Sequence, residues 1–337
     1  MKGFDKYLED YQTNWRVKHL SSQKLGRQNK KKYPWILPRR DWEQGLWAGI
    51  QSGSSHSLPF YLSKKHVQKH TGVHNLKSSW VLCANLYFPF QRDQGMLTGF
   101  LRENIISSIE TVDGIELEYA EERPLDPTTL LGEPEGQRGK NQTSPDVAFI
   151  ITMTNGHKGL ILTESKFTEH SFYQCSGRNH KYDNPDAKRC MNFKALSRDF
   201  IGQCYMTQWA KGKRTNRKYW NYINFTNMAY QNLKRCPAAI AGYQLFRQQA
   251  LGEAIALKSD YEEVISCVAY DERNETLIRS MRGAGIDDFT KDWDPLFDGK
   301  AKFVSFTHQQ WVNWVSQNDT NNTWQDWLSF IRGRYGY

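Results

Sequence analysis

One stretch, SPDVAFIITMTNGHKGLILTESKFTE over residues 144–169, constrains the fold more than any other. Asn155-Gly156 is a strong hairpin signal, because these residue types tolerate the backbone twist that a tight turn requires. The flanking arms, VAFIITM and LILT, are apolar and partly β-branched, as strands buried on both faces are. Asp146 lies nine residues before Asn155 and Glu164 nine after it, so pairing of the arms brings the two carboxylates side by side. Alternate residues of a strand share a face, so Glu164 and Lys166 point one way and Ser165 the other.

Two carboxylates beside a lysine suit the hydrolysis of a phosphodiester. The ester oxygens repel an incoming anion, so a site must neutralise charge and supply a nucleophile at neutral pH, and a divalent cation does both. Mg²⁺ prefers oxygen ligands and keeps several waters, so one or two carboxylates suffice; Mn²⁺ accepts the same set. On this reading Asp146 and Glu164 hold Mg²⁺ or Mn²⁺, the main-chain carbonyl of Ser165 is a third candidate ligand, and Lys166 positions or polarises the attacking water. The plainer reading is a Pro-Asp that opens a strand and a Glu-x-Lys that closes one, so the motif depends on its context.

The hairpin with its PD…ExK residues resembles the PD-(D/E)XK nuclease superfamily. Four further segments, YPWILP, HNLKSSWVLCANLYFPF, YQLFRQQAL and WLSFIRGRYGY, are similar to bacterial restriction-endonuclease-like proteins of that superfamily, and the likeness runs from about Tyr33 to the C-terminus. It implies an α/β fold with a restriction-endonuclease-like core, a mixed central sheet flanked by helices. It also implies a Mg²⁺-dependent DNA endonuclease of restriction or phage defence, with partner proteins in such a system. A second carboxylate from the preceding helix often completes sites of this superfamily: Glu103 is the candidate and Glu118 the alternative. A repair or recombination nuclease is a competing reading, but the Gln-x-x-x-Tyr element of RecB-like nucleases is absent after Lys166, since Gln203 precedes Tyr205 by only two. A catalytically inactive DNA-binding subunit is another, against which stand the intact Asp146, Glu164 and Lys166.

Charge is unevenly spread. Residues 1–90 hold 15 Lys and Arg against 5 Asp and Glu, and residues 138–235 hold 17 against 6, while residues 91–137 hold 3 against 11. Basic stretches therefore flank the hairpin, as binding of a polyanion requires. Lys30, Lys31 and Lys32 are the densest run and the DNA-contact candidates; the alternative for them is a solvated face. The six cysteines show no CxxC, which fits a reduced cytoplasmic protein, and no apolar run is long enough to cross a membrane. His170, Cys175, His180 and Cys190 fall within 21 residues and are types that bind Zn²⁺, but their spacing is not that of a common finger. Small buried hydrophobes are the preferred reading of these cysteines.

The pattern divides the chain into a basic, mainly helical N-terminal extension over residues 1–90 and a nuclease domain over 91–337. The first 30 residues read as an exposed arm. DWEQGLWAGI, MLTGFLRENIISSIET, NFKALSRDFIGQCYMTQWAKG and PAAIAGYQLFRQQALGEAIAL read as helices. GIELEYAEE, EEVISCVAYDE and AKFVSF read as strands, and two closing helices follow, capped by Thr307 and by Asn322 or Thr323. Which of the two long helices after Lys166 packs on the sheet is left open. Paired cuts need two active sites, which suggests a homodimer.

Overall fold

The computed structural model describes residues 3–178, 186–208 and 216–337. Five strands form one mixed sheet in chain order: β3 (Ile109–Leu117), β4 (Val147–Met153), β5 (Lys158–Lys166), β6 (Glu263–Tyr270) and β7 (Lys302–Thr307). The pairs β3–β4 and β4–β5 are antiparallel, and β5–β6 and β6–β7 are parallel. The expected hairpin is present, with Val147 opposite Thr163 and Gly156 in the left-handed conformation (φ 85°) that the turn requires.

Alternation along the strands gives each face its own core. Val147, Phe149, Ile161, Cys267 and Phe306 face one side, which is covered by α3 (Ser79–Tyr87), α4 (Gln94–Asn104), α7 (His308–Asn318) and α8 (Gln325–Tyr335). Ala148, Leu160, Leu162, Val264 and Val268 face the other, covered by α5 (Pro127–Leu131), α6 (Tyr243–Lys258) and described short turns between them. Of the two long helices α6 therefore packs on the sheet, and Gln248 pins it there by donating to the carbonyls of Leu162 (3.0 Å) and Cys267 (2.9 Å). The result is an α/β fold with helices on both sides of the sheet.

The first 90 residues share this core. α1 (Phe4–His19) buries Leu8 and Trp15 and is tied to α8 by Gln12 Nε2, which donates to the Arg334 carbonyl at 2.7 Å, so the expected exposed arm is a docked helix. A small hairpin of β1 (Gly26–Gln28) and β2 (Lys31–Tyr33) follows, with Lys30, Lys31 and Lys32 exposed on it. α2 (Leu58–Lys64) and α3 complete the region.

Several expected elements are shorter than their patterns. DWEQGLWAGI forms two 3₁₀ turns, Arg39–Gly45 and Ala48–Ile50, because its glycines weaken a continuous helix. α4 ends at Asn104 rather than Thr111, and the β-branched run from Ile109 enters the sheet. NFKALSRDFIGQCYMTQ breaks into the one-turn helices Phe193–Leu196, Phe200–Gln203 and Tyr205–Gln208; Asp199 accepts from the Gly202 N–H and starts a new turn instead of continuing the old one. α6 starts only at Tyr243, after Ala241 in a left-handed conformation (φ 76°). Thr307 caps α7 as expected, whereas the N–H groups of Thr323 and Trp324 before α8 are capped by Asp319. No described helix is long and apolar enough to cross a membrane.

Phe149 is fully buried where α3 meets the sheet, edge-on to Tyr87 at 5.8 Å. Phe149→Ala is expected to cost about 3–5 kcal/mol in urea unfolding, the usual loss for emptying a buried aromatic position. A loss below about 1 kcal/mol would mean that this face of the sheet is not packed as described.

Candidate active site

The ends of β3, β4 and β5 lie level with one another. Leu117 is opposite Val147 and Val147 is opposite Thr163, so the next residues outward, Glu118, Asp146 and Glu164, form one row across three strands. Backbone pairing extends into the row, since the Glu118 N–H donates to the Asp146 carbonyl at 3.0 Å. The Ser165 N–H donates to Asp146 Oδ2 at 2.7 Å and fixes that carboxylate. Lys166, two residues beyond Glu164 on the same face, donates to Glu164 Oε1 at 2.8 Å and to Gln244 Oε1 at 2.9 Å. Asp146, Glu164 and Lys166 are thus brought together.

Glu103 is not. It is exposed near the C-terminal end of α4, where its neighbour Arg102 donates to the Ile109 and Glu110 carbonyls at the start of β3. The row lies at the other end of that strand, eight residues and roughly 26 Å of extended chain away. Glu118 stands in the row instead. Its backbone is left-handed (φ 48°), an uncommon state for a residue with a side chain. Arg138 holds it there, donating to the carbonyls of Leu117 (2.5 Å) and Glu118 (3.1 Å) and to Glu116 Oε2 (2.9 Å). Gly139 lets the same loop lie against it: a Cβ there would sit 3.2 Å from Glu118 Cδ.

Supporting contacts come from distant parts of the chain. Glu169 accepts from Ser79 Oγ (2.5 Å) and from the Phe167 N–H (2.8 Å). Asn274 Nδ2 donates to the carbonyls of Phe167 and Glu169, and the Asp271 N–H donates to the Lys166 carbonyl. His308 Nε2 also meets the Lys166 carbonyl at 3.2 Å, while its Nδ1 meets the Tyr87 hydroxyl at 3.1 Å. A carbonyl can only accept, so Nε2 carries the hydrogen; burial lowers this imidazole to about 4, which keeps it neutral. Gln244, Glu169 and His308 are therefore part of the site's support; Glu169 closes the hairpin stretch, whereas no residue spacing near the hairpin points to Gln244 or His308. Gln244 does fall in YQLFRQQAL, one of the segments that carried the resemblance.

The row holds more negative charge than its burial tolerates. Burial first, then the charge of Glu164, pushes the Asp146 carboxyl well above the usual range, against the pull of Lys166. Burial, then Asp146 and Glu164, does the same to Glu118. Burial opposes the charge of Lys166, but Glu164 foremost, then Glu169 and Asp146, outweigh it and keep the ammonium protonated. Such a cluster of hard oxygen donors in excess of its own cation fits a divalent metal ion. Among the described residues no three His, Cys, Asp or Glu side chains already form a metal cage. Two carboxylates, a main-chain carbonyl such as that of Ser165 and retained waters are what Mg²⁺ usually takes.

Of the His/Cys set suggested for zinc, the described members do not share one pocket. His170 lines an open cleft, whereas Cys175 and Cys190 line a small apolar cavity with Cys204 and Cys236; His180 lies outside the described residues. Burial raises the thiols, Cys190 to about 11 and Cys175 and Cys236 further. The plain cause is a cavity walled by aromatic and aliphatic side chains.

Residues 9–336 match the family model described as Restriction Endonuclease associating with ARP. The chain belongs to this family. The match spans nearly the whole chain and so includes the row, the loop that holds Glu118 and α8 alike. Membership in this restriction-endonuclease family agrees with a mixed five-stranded sheet whose end carries clustered carboxylates. No curated protein and no solved structure matches the chain.

Because raised carboxyl groups favour the neutral form, their contribution to stability is complete in acid and is lost as pH rises through the raised value. Asp146→Asn and Glu118→Gln remove that loss. In EDTA at pH 7.5 each variant is expected to melt roughly 2–4 °C above the parent protein, the shift that about 1 kcal/mol makes in a large domain. The gain should close as the pH approaches 4. Variants that melt below the parent at pH 7.5 would show that the row is not charge-strained.

Proposed function

We propose that this member of the restriction-endonuclease family is a PD-(D/E)XK-type DNA endonuclease that depends on Mg²⁺ or Mn²⁺. The observation that carries the reading is the row of Glu118, Asp146 and Glu164 beside a buried, protonated Lys166. A bound divalent cation would supply the positive charge this row lacks and lower the barrier to attack by water on the phosphodiester. Asp146 and Glu164 are the residues that would hold it, with the Ser165 carbonyl as a further candidate ligand, and the Ser165 N–H orients Asp146.

Lys166 is placed to act as a donor, since Glu164, Glu169 and Asp146 hold its ammonium protonated before a cation binds. Glu164 and Gln244 fix two of its three N–H directions, which aims the third at a phosphate oxygen or the attacking water. The proton released by that water goes to a carboxylate of the row or to solvent, and Glu118, whose carboxyl is raised, is suited to receive it. The stretches rich in Lys and Arg that flank the hairpin supply general attraction for DNA phosphates. The family description supports a partner, ARP, and we assign the enzyme a place beside it in restriction or phage defence.

The test is plasmid cleavage by the parent protein and by Asp146→Asn, Glu164→Gln and Lys166→Ala, with folding checked by circular dichroism. Cleavage should require Mg²⁺ or Mn²⁺ and fall by at least ~10²-fold in each variant, while DNA affinity in Ca²⁺ persists. Full activity in excess EDTA, or a folded Asp146→Asn protein cutting at the parent rate, would overturn the assignment.

A further inference from the structure

A second feature adjoins the row and belongs to none of the roles above. Tyr173 is 54% exposed, and its backbone is left-handed (φ 58°). A single exposed tyrosine needs no explanation, and an aromatic residue in this conformation is uncommon. It is held there by a clamp: the Phe172 N–H donates to the Ala241 carbonyl (2.8 Å), the Tyr243 N–H donates to the Tyr173 carbonyl (3.0 Å), and the Gln244 N–H donates to the Phe172 carbonyl (2.9 Å). Ala241 in the same clamp is also left-handed. Backbone strain of this kind persists where the surroundings enforce it and gathers at functional sites.

The clamp has two outputs. It sets the first turn of α6, from which Gln244 reaches Lys166, and it holds the Tyr173 ring 5.8 Å from Lys166 Nζ. The outer side of Tyr173 lines an open cleft of about 790 Å³. Arg279 and Arg282, both exposed, line the same cleft, as do Gln174 and His170; Arg282 pairs loosely, at 3.7 Å, with exposed Asp287. An aromatic face next to the reacting centre and guanidinium groups lining the same cleft are the two elements that hold a nucleic-acid strand whose bases are unstacked.

We propose that this cleft is the exit track for the strand being cut, with Tyr173 stacking on a base adjacent to the scissile phosphate and Arg279 and Arg282 binding the following phosphates. The inference rests on the nuclease reading and adds to it that the base beside the cut leaves the helical stack. Stacking on an aromatic ring tolerates any base, so the track contributes affinity without a sequence preference. The hydroxyl of Tyr173 is not needed for this, only the ring.

The experiment measures binding of a fluorescein-labelled single-stranded 20-mer to the full chain in Ca²⁺, alongside plasmid cleavage in Mg²⁺ and melting of each variant. Tyr173→Ala should weaken binding by roughly 5- to 100-fold and Tyr173→Phe should restore it, the range set by loss of one base–aromatic stack. Arg279→Gln with Arg282→Gln should flatten the slope of log affinity against log salt by about 1.4, the value for two phosphates on a single strand. If the parent protein cuts DNA but Tyr173→Ala and the double variant Arg279→Gln with Arg282→Gln leave affinity, salt slope and cleavage unchanged, the track is refuted while the nuclease reading stands. If the parent protein neither binds nor cuts, both fail together.

Discussion

The antiparallel pairing of β3, β4 and β5 is the constraint on which the rest depends. Backbone hydrogen bonds between these strands decide which residues sit level at their ends, and a shift of one residue would turn every side chain to the other face. With Leu117 level with Val147 and Thr163, three acidic residues from segments nearly fifty positions apart come into one row. The apolar alternation on each side of the sheet locks that register, because slippage would expose Phe149 and Leu162 and bury polar groups in their place. The geometry of the row is thus a product of packing on both faces.

Stability and chemistry pull against each other at this row. Three carboxylates and one ammonium are drawn into a setting where burial penalises charge, and the carboxyl groups of Asp146 and Glu118 respond by rising. The chain surrounds them with fixed partners: the Ser165 N–H on Asp146, Gln244 on Lys166, and Arg138 on the carbonyls beside Glu118. Neutral His308, Asn274 and Asp271 hold the end of β5 from behind. A left-handed glutamate and a left-handed tyrosine flank the same place, which is where strain is most useful and least easily relaxed.

Much of this was legible in the sequence, and the reason is locality. The Asn155-Gly156 turn and its apolar arms determine one another over some twenty residues, so the hairpin, the meeting of Asp146 with Glu164 and the shared face of Glu164 and Lys166 all follow from spacing. Later strands with strong β-branched runs are equally readable. Glu103 misled because a helical pattern says where a residue lies on its helix but not at which end of the sheet that helix stops. Glu118, weighed as its alternative, occupies the row because the loop carrying Arg138 and Gly139 bends the chain after β3, a contact between residues twenty positions apart. The same limit hid Gln244 and His308, which reach Lys166 from 78 and 142 residues away. Short helices between Asn192 and Gln208 escaped notice because Asp199 restarts a turn locally, which no periodicity over the whole segment reveals.

Anomalous diffraction from crystals soaked in Mn²⁺ tests the central claim most directly, because it locates the cation without relying on turnover. The account predicts one strong peak at the row, within about 2.3 Å of an oxygen of Asp146 and one of Glu164, and its disappearance in Asp146→Asn crystals. A peak bound elsewhere with the row left bare, or a peak at the row that survives the loss of the Asp146 charge undiminished, would contradict it.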